Sequence, residues 1–121
     1  MSFSPDDLAR LRAAEEIDIE TQAPHSPAHR TTIWIVVDEP DVFVRSVRGE
    51  AGRWFREATA NPGVAIHVDG VRLPATAVPA TDPDSIDRIN AALTEKYTGI
   101  EGYDAMLQPN VLSANFRLEP A

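Results

Sequence analysis

Residues 31–48 read TTIWIVVDEPDVFVRSVR, and this stretch decides the fold. The first seven residues are dense in β-branched and aromatic side chains and predict a buried strand over 31–37. Asp38-Glu39-Pro40-Asp41 supplies turn residues. Residues 42–48 (VFVRSVR) return as a second strand. An antiparallel hairpin is therefore the seed of the chain's architecture.

Working outward, Gly49 and Gly52 break the second strand, and residues 53–60 suit a short helix ended by Asn61-Pro62-Gly63. Residues 64–68 form a third strong strand. Asp69-Gly70 is a tight hairpin turn that favours positive φ. The strand returning over 71–80 carries Pro74 and Pro79, which predicts an edge strand or a bulge. Upstream, residues 17–21 alternate apolar and polar as a short strand, and 24–29 is a Pro- and His-containing loop. Ser4, Pro5, Asp6 and Asp7 open an N-terminal helix within 1–16: a cap, a proline at the first position, and two acids at the positive helix end. Asp82-Pro83-Asp84 caps a helix over 83–98, where Ile86, Ile89, Leu93 and Tyr97 repeat at three or four residues before Gly99. Residues 100–109 are irregular. Over 111–118, Leu112, Ala114, Phe116 and Leu118 face one way, and Ser113, Asn115 and Arg117 face the other. That pattern predicts a last strand with one wet face.

Six strands joined mainly by hairpins predict an α+β fold built on an antiparallel sheet. A closed or split barrel would remove its exposed edges. The 121 residues fit one domain over 1–121. No window approaches the ~20 apolar residues of a membrane span, no cysteine is present for disulfides or thiolate metal sites, and the cytoplasm is the expected compartment.

Net charge is −8, which argues against non-specific nucleic-acid binding. The cations are unevenly placed. Ten of the eleven are Arg, and Arg45, Arg48, Arg53 and Arg56 fall within twelve residues, with Glu50 the only acid among them. An Arg-rich solvated surface would give this pattern. So would a local anion site, because the planar guanidinium binds phosphate or carboxylate at two points.

No catalytic set stands out. His25 and His29 share a proline-containing loop that a helical metal motif could not use, so no metal site is expected. His67 reads as a surface or barrel-mouth residue. Ser46 lies on a strand without a nucleophile elbow, and no phosphate-loop or dinucleotide fingerprint occurs. The acidic pairs fall at helix ends, where capping explains them. Trp34 and Trp54 read as core residues, although Trp54, within the Arg-rich segment, could line a ring pocket. Such a chain fits a protein that lends its chemistry to a cofactor, or performs none.

The run RWFREATANPGVAIHVDGVRLPATA (residues 53–77) resembles the segment W-[YF]-x-N-L-x-A-N-P-x-V, followed by a hairpin ending P-A-T-A, of the pyridoxamine-phosphate-oxidase-like split-barrel superfamily. With Arg30-Thr31-Thr32 and Val44-Arg45-Ser46 before it, the likeness is greatest to the deazaflavin-dependent nitroreductase branch. The chain also resembles a compact bacterial family of unassigned function within that superfamily. The resemblance implies an FMN-binding split barrel and nominates Arg30, Thr31, Thr32, Arg45, Ser46, Arg48, Gly49, Arg53 and Trp54 as cofactor-binding residues. The cofactor implied is FMN or a deazaflavin. The implied activity is hydride transfer to a small organic acceptor, with a homodimer as the assembly; the phenols of Tyr97 and Tyr103 make these two residues the candidate proton donors. Two departures stand out: residues 23–29 hold no G-R-K-[ST]-G loop, and Glu57 occupies the place of the family's Asn. A barrel that binds an anionic small molecule or a protein partner without catalysis is the alternative. A hydrolytic site of His67 with Ser46 or Asp69 is a third.

Overall fold

The computed structural model describes residues 2–121. Its elements run α1 (Pro5–Ala13), β1 (Ile17–Thr21), β2 (His29–Ile33), β3 (Val36–Asp38), β4 (Asp41–Arg45), α2 (Arg53–Ala60), β5 (Gly63–Val68), β6 (Val71–Pro79), α3 (Pro83–Tyr97) and β7 (Asn115–Pro120). Short 3-10 turns lie at Gly49–Ala51, Asp104–Leu107 and Pro109–Val111. The strands form one antiparallel sheet in the order β2-β1-β5-β6-β7-β4-β3.

The expected six strands are seven, because the strand expected over 31–37 divides. Its first half, β2, pairs with β1 (Ile17 opposite Ile33), and its second half, β3, pairs with β4 (Val36 opposite Phe43). Only Trp34 and Ile35 separate them. The two outer strands of the sheet are therefore consecutive in the chain, and the sheet curls until its edges meet at this crossover. The barrel is split there: continuous in covalent chain, interrupted in hydrogen bonding.

Ser4 caps α1 by accepting from the Asp7 N–H at 3.1 Å, and Asp82 caps α3 by accepting from Ser85 at 3.0 Å. The N-terminal helix is shorter than 1–16, because Ala14 already has extended dihedrals. Asp69 and Gly70 both have positive φ in the β5–β6 hairpin. Contrary to expectation, β6 is an interior strand. Its prolines are tolerated because Pro74 lies beyond the residues that pair with β7, and Pro79 lies beyond those that pair with β5. Each misses only one neighbour.

The last strand also departs from its expected bounds. It begins at Asn115, after the turn at Pro109–Val111, and Asn115 is fully buried where a wet face was expected. The apolar–polar alternation misleads here because Asn115 meets a buried partner, Arg45. The second hairpin strand likewise stops at Arg45 and does not reach 48.

Two apolar clusters hold the fold. One fills the barrel under α1 and α2, with Leu11, Ile19, Val44, Phe55, Ile66 and Phe116. The other joins α3 to the outer side of β3 and β4 through Val36, Phe43, Ile89, Leu93, Tyr97 and Met106. Strand β4 is thus buried on both faces, Val42 and Val44 inward and Phe43 towards α3. No helix among the described residues is long and apolar enough to cross a membrane.

Candidate functional site

Continuing the β3–β4 register past Val36 and Phe43 would set Trp34 opposite Arg45, Ile33 opposite Ser46, Thr32 opposite Val47 and Thr31 opposite Arg48. These pairs do not form. Strand β2 has turned to β1, and the chain after Arg45 instead bonds the Ala114 carbonyl through the Ser46 N–H at 2.9 Å. The unzipped end of the hairpin is a cleft of about 620 Å³, and all eight of those residues line it. Gly52, Arg53 and Trp54 enter it from the start of α2; Gly102 and Met106 come from the segment after α3; Glu16 is its only acid.

Arg45 closes the floor. It is 2% exposed, yet among the described residues no carboxylate pairs with it. Its guanidinium donates to Asn115 Oδ1 (2.6 Å), Asn90 Oδ1 (2.7 Å), the Met106 carbonyl (3.0 Å) and the Leu112 carbonyl (3.3 Å). Four of the five N–H donors of an arginine are then used. Burial pulls its pKa down to about 10, so the group is still a cation at neutral pH. The result is a buried positive charge held by neutral oxygens, with one donor left.

Ser46 is 1% exposed. It lies against Gly52, where a Cβ would come within 2.6 Å of Ser46 Oγ. Gly52 is also the N-cap of α2, and no side chain caps that helix. The first N–H groups of α2, the Ser46 hydroxyl and the absent Cβ thus form one cradle on the cleft wall.

Of the protein's eleven cations, Arg48, Arg53 and Arg56 make no side-chain hydrogen bond or ion pair among the described residues, and the first two line the cleft. Elsewhere the acids consume the cations. Arg88 spans Asp38 and Asp41 at 2.6 and 3.0 Å, and Arg72 shares Glu20 with His67. That last cluster, led by the Arg72 hydrogen bond and then the His67 one, holds the Glu20 carboxyl down at about 2.

Seven of the nine residues nominated for cofactor binding therefore come together: Thr31, Thr32, Arg45, Ser46, Arg48, Arg53 and Trp54. Arg30 does not line the cleft; it pairs with Asp18 at 3.1 Å, the carboxylate that also accepts from the Thr32 hydroxyl at 2.7 Å. Gly49 sits just behind, with φ +65° and a position where a Cβ would meet the Asn110 carbonyl at 2.9 Å. Neither tyrosine lines the cleft. The Tyr97 hydroxyl is engaged by the backbone at Ile35 and Glu15, and Tyr103 bonds Thr94 at 2.8 Å. His67 bonds Glu20 and is not brought to Ser46. His29 and Thr21 hold the two oxygens of Glu57 at 3.2 and 2.7 Å, so the residue in place of the family's Asn fastens α2 to the β1–β2 hairpin. Among the described residues no group of His, Cys, Asp or Glu could hold a metal. Sequence reasoning missed Trp34 as a cleft residue, and Glu16, Gly52 and Met106 as well. The hairpin register could have found Trp34, since it falls opposite Arg45.

Residues 7–118 match the family described as "Uncharacterized protein conserved in bacteria (DUF2255)". The chain belongs to that family. No curated protein matches it. Among solved structures, the DUF2255 chain resembles the heme storage protein HutZ from Vibrio cholerae, with TM-score 0.72 and 16% identity over 100% of this chain and 92% of that one. It also resembles a "Putative Pyridoxamine 5'-phosphate oxidase" from Listeria innocua (TM-score 0.69, 15% identity, 95% and 90%) and an F420-H2 dependent reductase, FDR-A (0.65, 15%, 87% and 94%). These similarities establish the split-barrel fold for the DUF2255 chain.

Proposed function

We propose that the DUF2255 cleft binds a phosphate-bearing flavin-type cofactor, FMN or a deazaflavin, and that the protein is an oxidoreductase passing a hydride to a small organic acceptor such as a nitro compound, quinone or enone. The observation that carries this reading is the charge imbalance. In a chain of net charge −8, the cleft keeps two unpaired arginines and a third buried without a counter-charge. A phosphate supplies the missing negative charge. The Ser46 hydroxyl, the start of α2 and the space left by Gly52 suit its oxygens. Trp34 and Trp54 offer flat apolar surface to a ring, and a dry wall strengthens every polar contact beside it.

A bound flavin or deazaflavin supplies the hydride chemistry. The chain's part is to bind, orient and exclude water. Haem fits less well. Its iron takes His, Cys, Met or Tyr ligands, and Met106 is the only one of these among the cleft-lining residues. A homodimer belongs to this reading, by analogy with split barrels that pair; Val47, 51% exposed at the cleft, would be covered by a second copy.

One observation favours the second reading, an anion-binding barrel without turnover: both candidate tyrosines have their hydroxyls engaged outside the cleft. Reductase assays with each reduced cofactor and a panel of nitro compounds, quinones and enones separate the two. Turnover with one cofactor supports the oxidoreductase. Cofactor binding with no turnover across the panel supports the second reading, and binding of neither cofactor rejects both in their present form.

A further inference from the structure

The crossover at Trp34–Ile35 poses a backbone problem. A strand that changes partners leaves its N–H and C=O groups without a ladder, and buried groups of that kind must be satisfied elsewhere. Ile35 is 1% exposed. Its N–H donates to the Tyr97 hydroxyl at 3.2 Å, and its carbonyl accepts from Lys96 Nζ at 2.8 Å; the Tyr97 oxygen also lies 3.1 Å from that carbonyl, sharing its one proton with the nearer Glu15 carbonyl. Lys96 also donates to the Leu11 carbonyl at 3.2 Å, and Tyr97 to the Glu15 carbonyl at 2.6 Å. Two adjacent side chains at the end of α3 thus stand in for the missing strand. The same Tyr97 ring stacks on Trp34 at 4.0 Å and 3°, with the Lys96 ammonium 5.3 Å from the Tyr97 ring centre. Trp34 is a wall of the cleft.

We propose that Lys96 and Tyr97 are positioning residues for the cleft, holding the crossover open and the Trp34 indole in place against its contents. Neither touches a ligand; both act through Ile35 and Trp34. The inference concerns the same cleft, so its bearing on cofactor binding rests on the reading above, while the placement of Trp34 stands on its own.

Burial, followed by the nearby Arg12 cation, lowers the Lys96 pKa to about 8, against the opposing pull of Glu15. The charged groups around the clamp are Arg12 on α1, itself paired with Glu39, and Glu15 and Glu16 before β1. Tyr97 is held protonated, its pKa pushed up to about 12 mainly by burial, so it does not titrate in the same range. A Lys96 released to solvent would regain its ordinary pKa of 10.5, so release takes up a proton, and raising the pH through 8 favours the held state.

The test needs no ligand. In a Trp54→Phe background Trp34 is the sole tryptophan, and collisional quenching by acrylamide from pH 6 to 10 reports its accessibility. Quenching is expected to be low at pH 6 and to fall or stay low as the pH rises through 8. Lys96→Arg should stay low across the range. Lys96→Met should be high throughout, and Tyr97→Phe raised even at pH 6. A Lys96→Met protein with the parent's quenching overturns the proposal, as does a Lys96→Arg protein as accessible as Lys96→Met. Circular dichroism verifies that each variant is folded. A second arm measures FMN and deazaflavin affinity over the same pH range. Absence of binding there counts against the cofactor reading alone, because the quenching result is obtained without ligand.

Discussion

Replacing Asn115 with Ala removes the centre of the Arg45 network. The amide oxygen accepts from Arg45 Nε at 2.6 Å, and the amide nitrogen donates to the Ala80 and Leu112 carbonyls at 3.1 and 2.7 Å. The substitution leaves one charged donor and the Ala80 carbonyl short of a partner in a fully buried place, and the Leu112 carbonyl with only its 3.3 Å bond from Arg45. A charged hydrogen bond contributes about 1.5–3 kcal/mol and a neutral one about 0.5–1.5 kcal/mol, so the expected loss is about 3–5 kcal/mol. That is a large share of the roughly 5–15 kcal/mol that holds a typical domain. In urea unfolding it corresponds to a midpoint lowered by roughly 1.5–3 M. Asn90→Ala, which removes one bond at a half-buried amide, should cost only about 1–2 kcal/mol. Asn115→Asp gives Arg45 a carboxylate but points acceptors at the two carbonyls, so it too should destabilise. The reasoning is refuted if Asn115→Ala shifts the midpoint no further than Asn90→Ala, since Arg45 and the carbonyls would then be satisfied without the amide.

Two further substitutions probe other parts of the account. Gly52→Ala should destabilise by about 1–3 kcal/mol, as overpacking does, because the new Cβ meets Ser46 Oγ at 2.6 Å. Adding Ser46→Ala should restore most of that loss in thermal unfolding, and failure to do so would locate the clash elsewhere. Glu20 has a depressed pKa, so its contribution is fully present above about pH 4.5 and is lost as pH falls through about 2. The cluster is partly solvated, so the contribution is about 1 kcal/mol. Glu20→Gln should lower the urea midpoint at pH 6 and converge with the wild type near pH 2; a constant difference at both pH values would speak against the linkage.

Local elements with strong sequence signals were legible. The caps at Ser4 and Asp82, the Asp69-Gly70 turn and the short helix at 53–60 stand where their residues place them. What the sequence concealed was partnership. TTIWIVV is uniformly strand-like, and nothing in its side chains marks Trp34–Ile35 as the point where pairing changes. The bonds that make the change possible come from Tyr97 and Lys96, some sixty residues away. Asn115 was misread for the same reason: alternation assigns a polar residue to solvent, whereas here a distant buried arginine claims it. The candidate site was legible through its Arg cluster and the family likeness. Even so, Arg45 turned out to spend most of its donors on the protein, and Arg30 to pair with Asp18.

The central claim is that the unzipped hairpin binds a flavin-type cofactor through unpaired cations. The most direct test is a fluorescence titration of FMN and of the deazaflavin, side by side, into the wild type, Arg48→Ala and Arg53→Ala. The account predicts binding of at least one cofactor, weakened about tenfold or more in each variant, as loss of a charged hydrogen bond implies. Unchanged affinity in both variants, or no binding of either cofactor by the folded wild type, would contradict it.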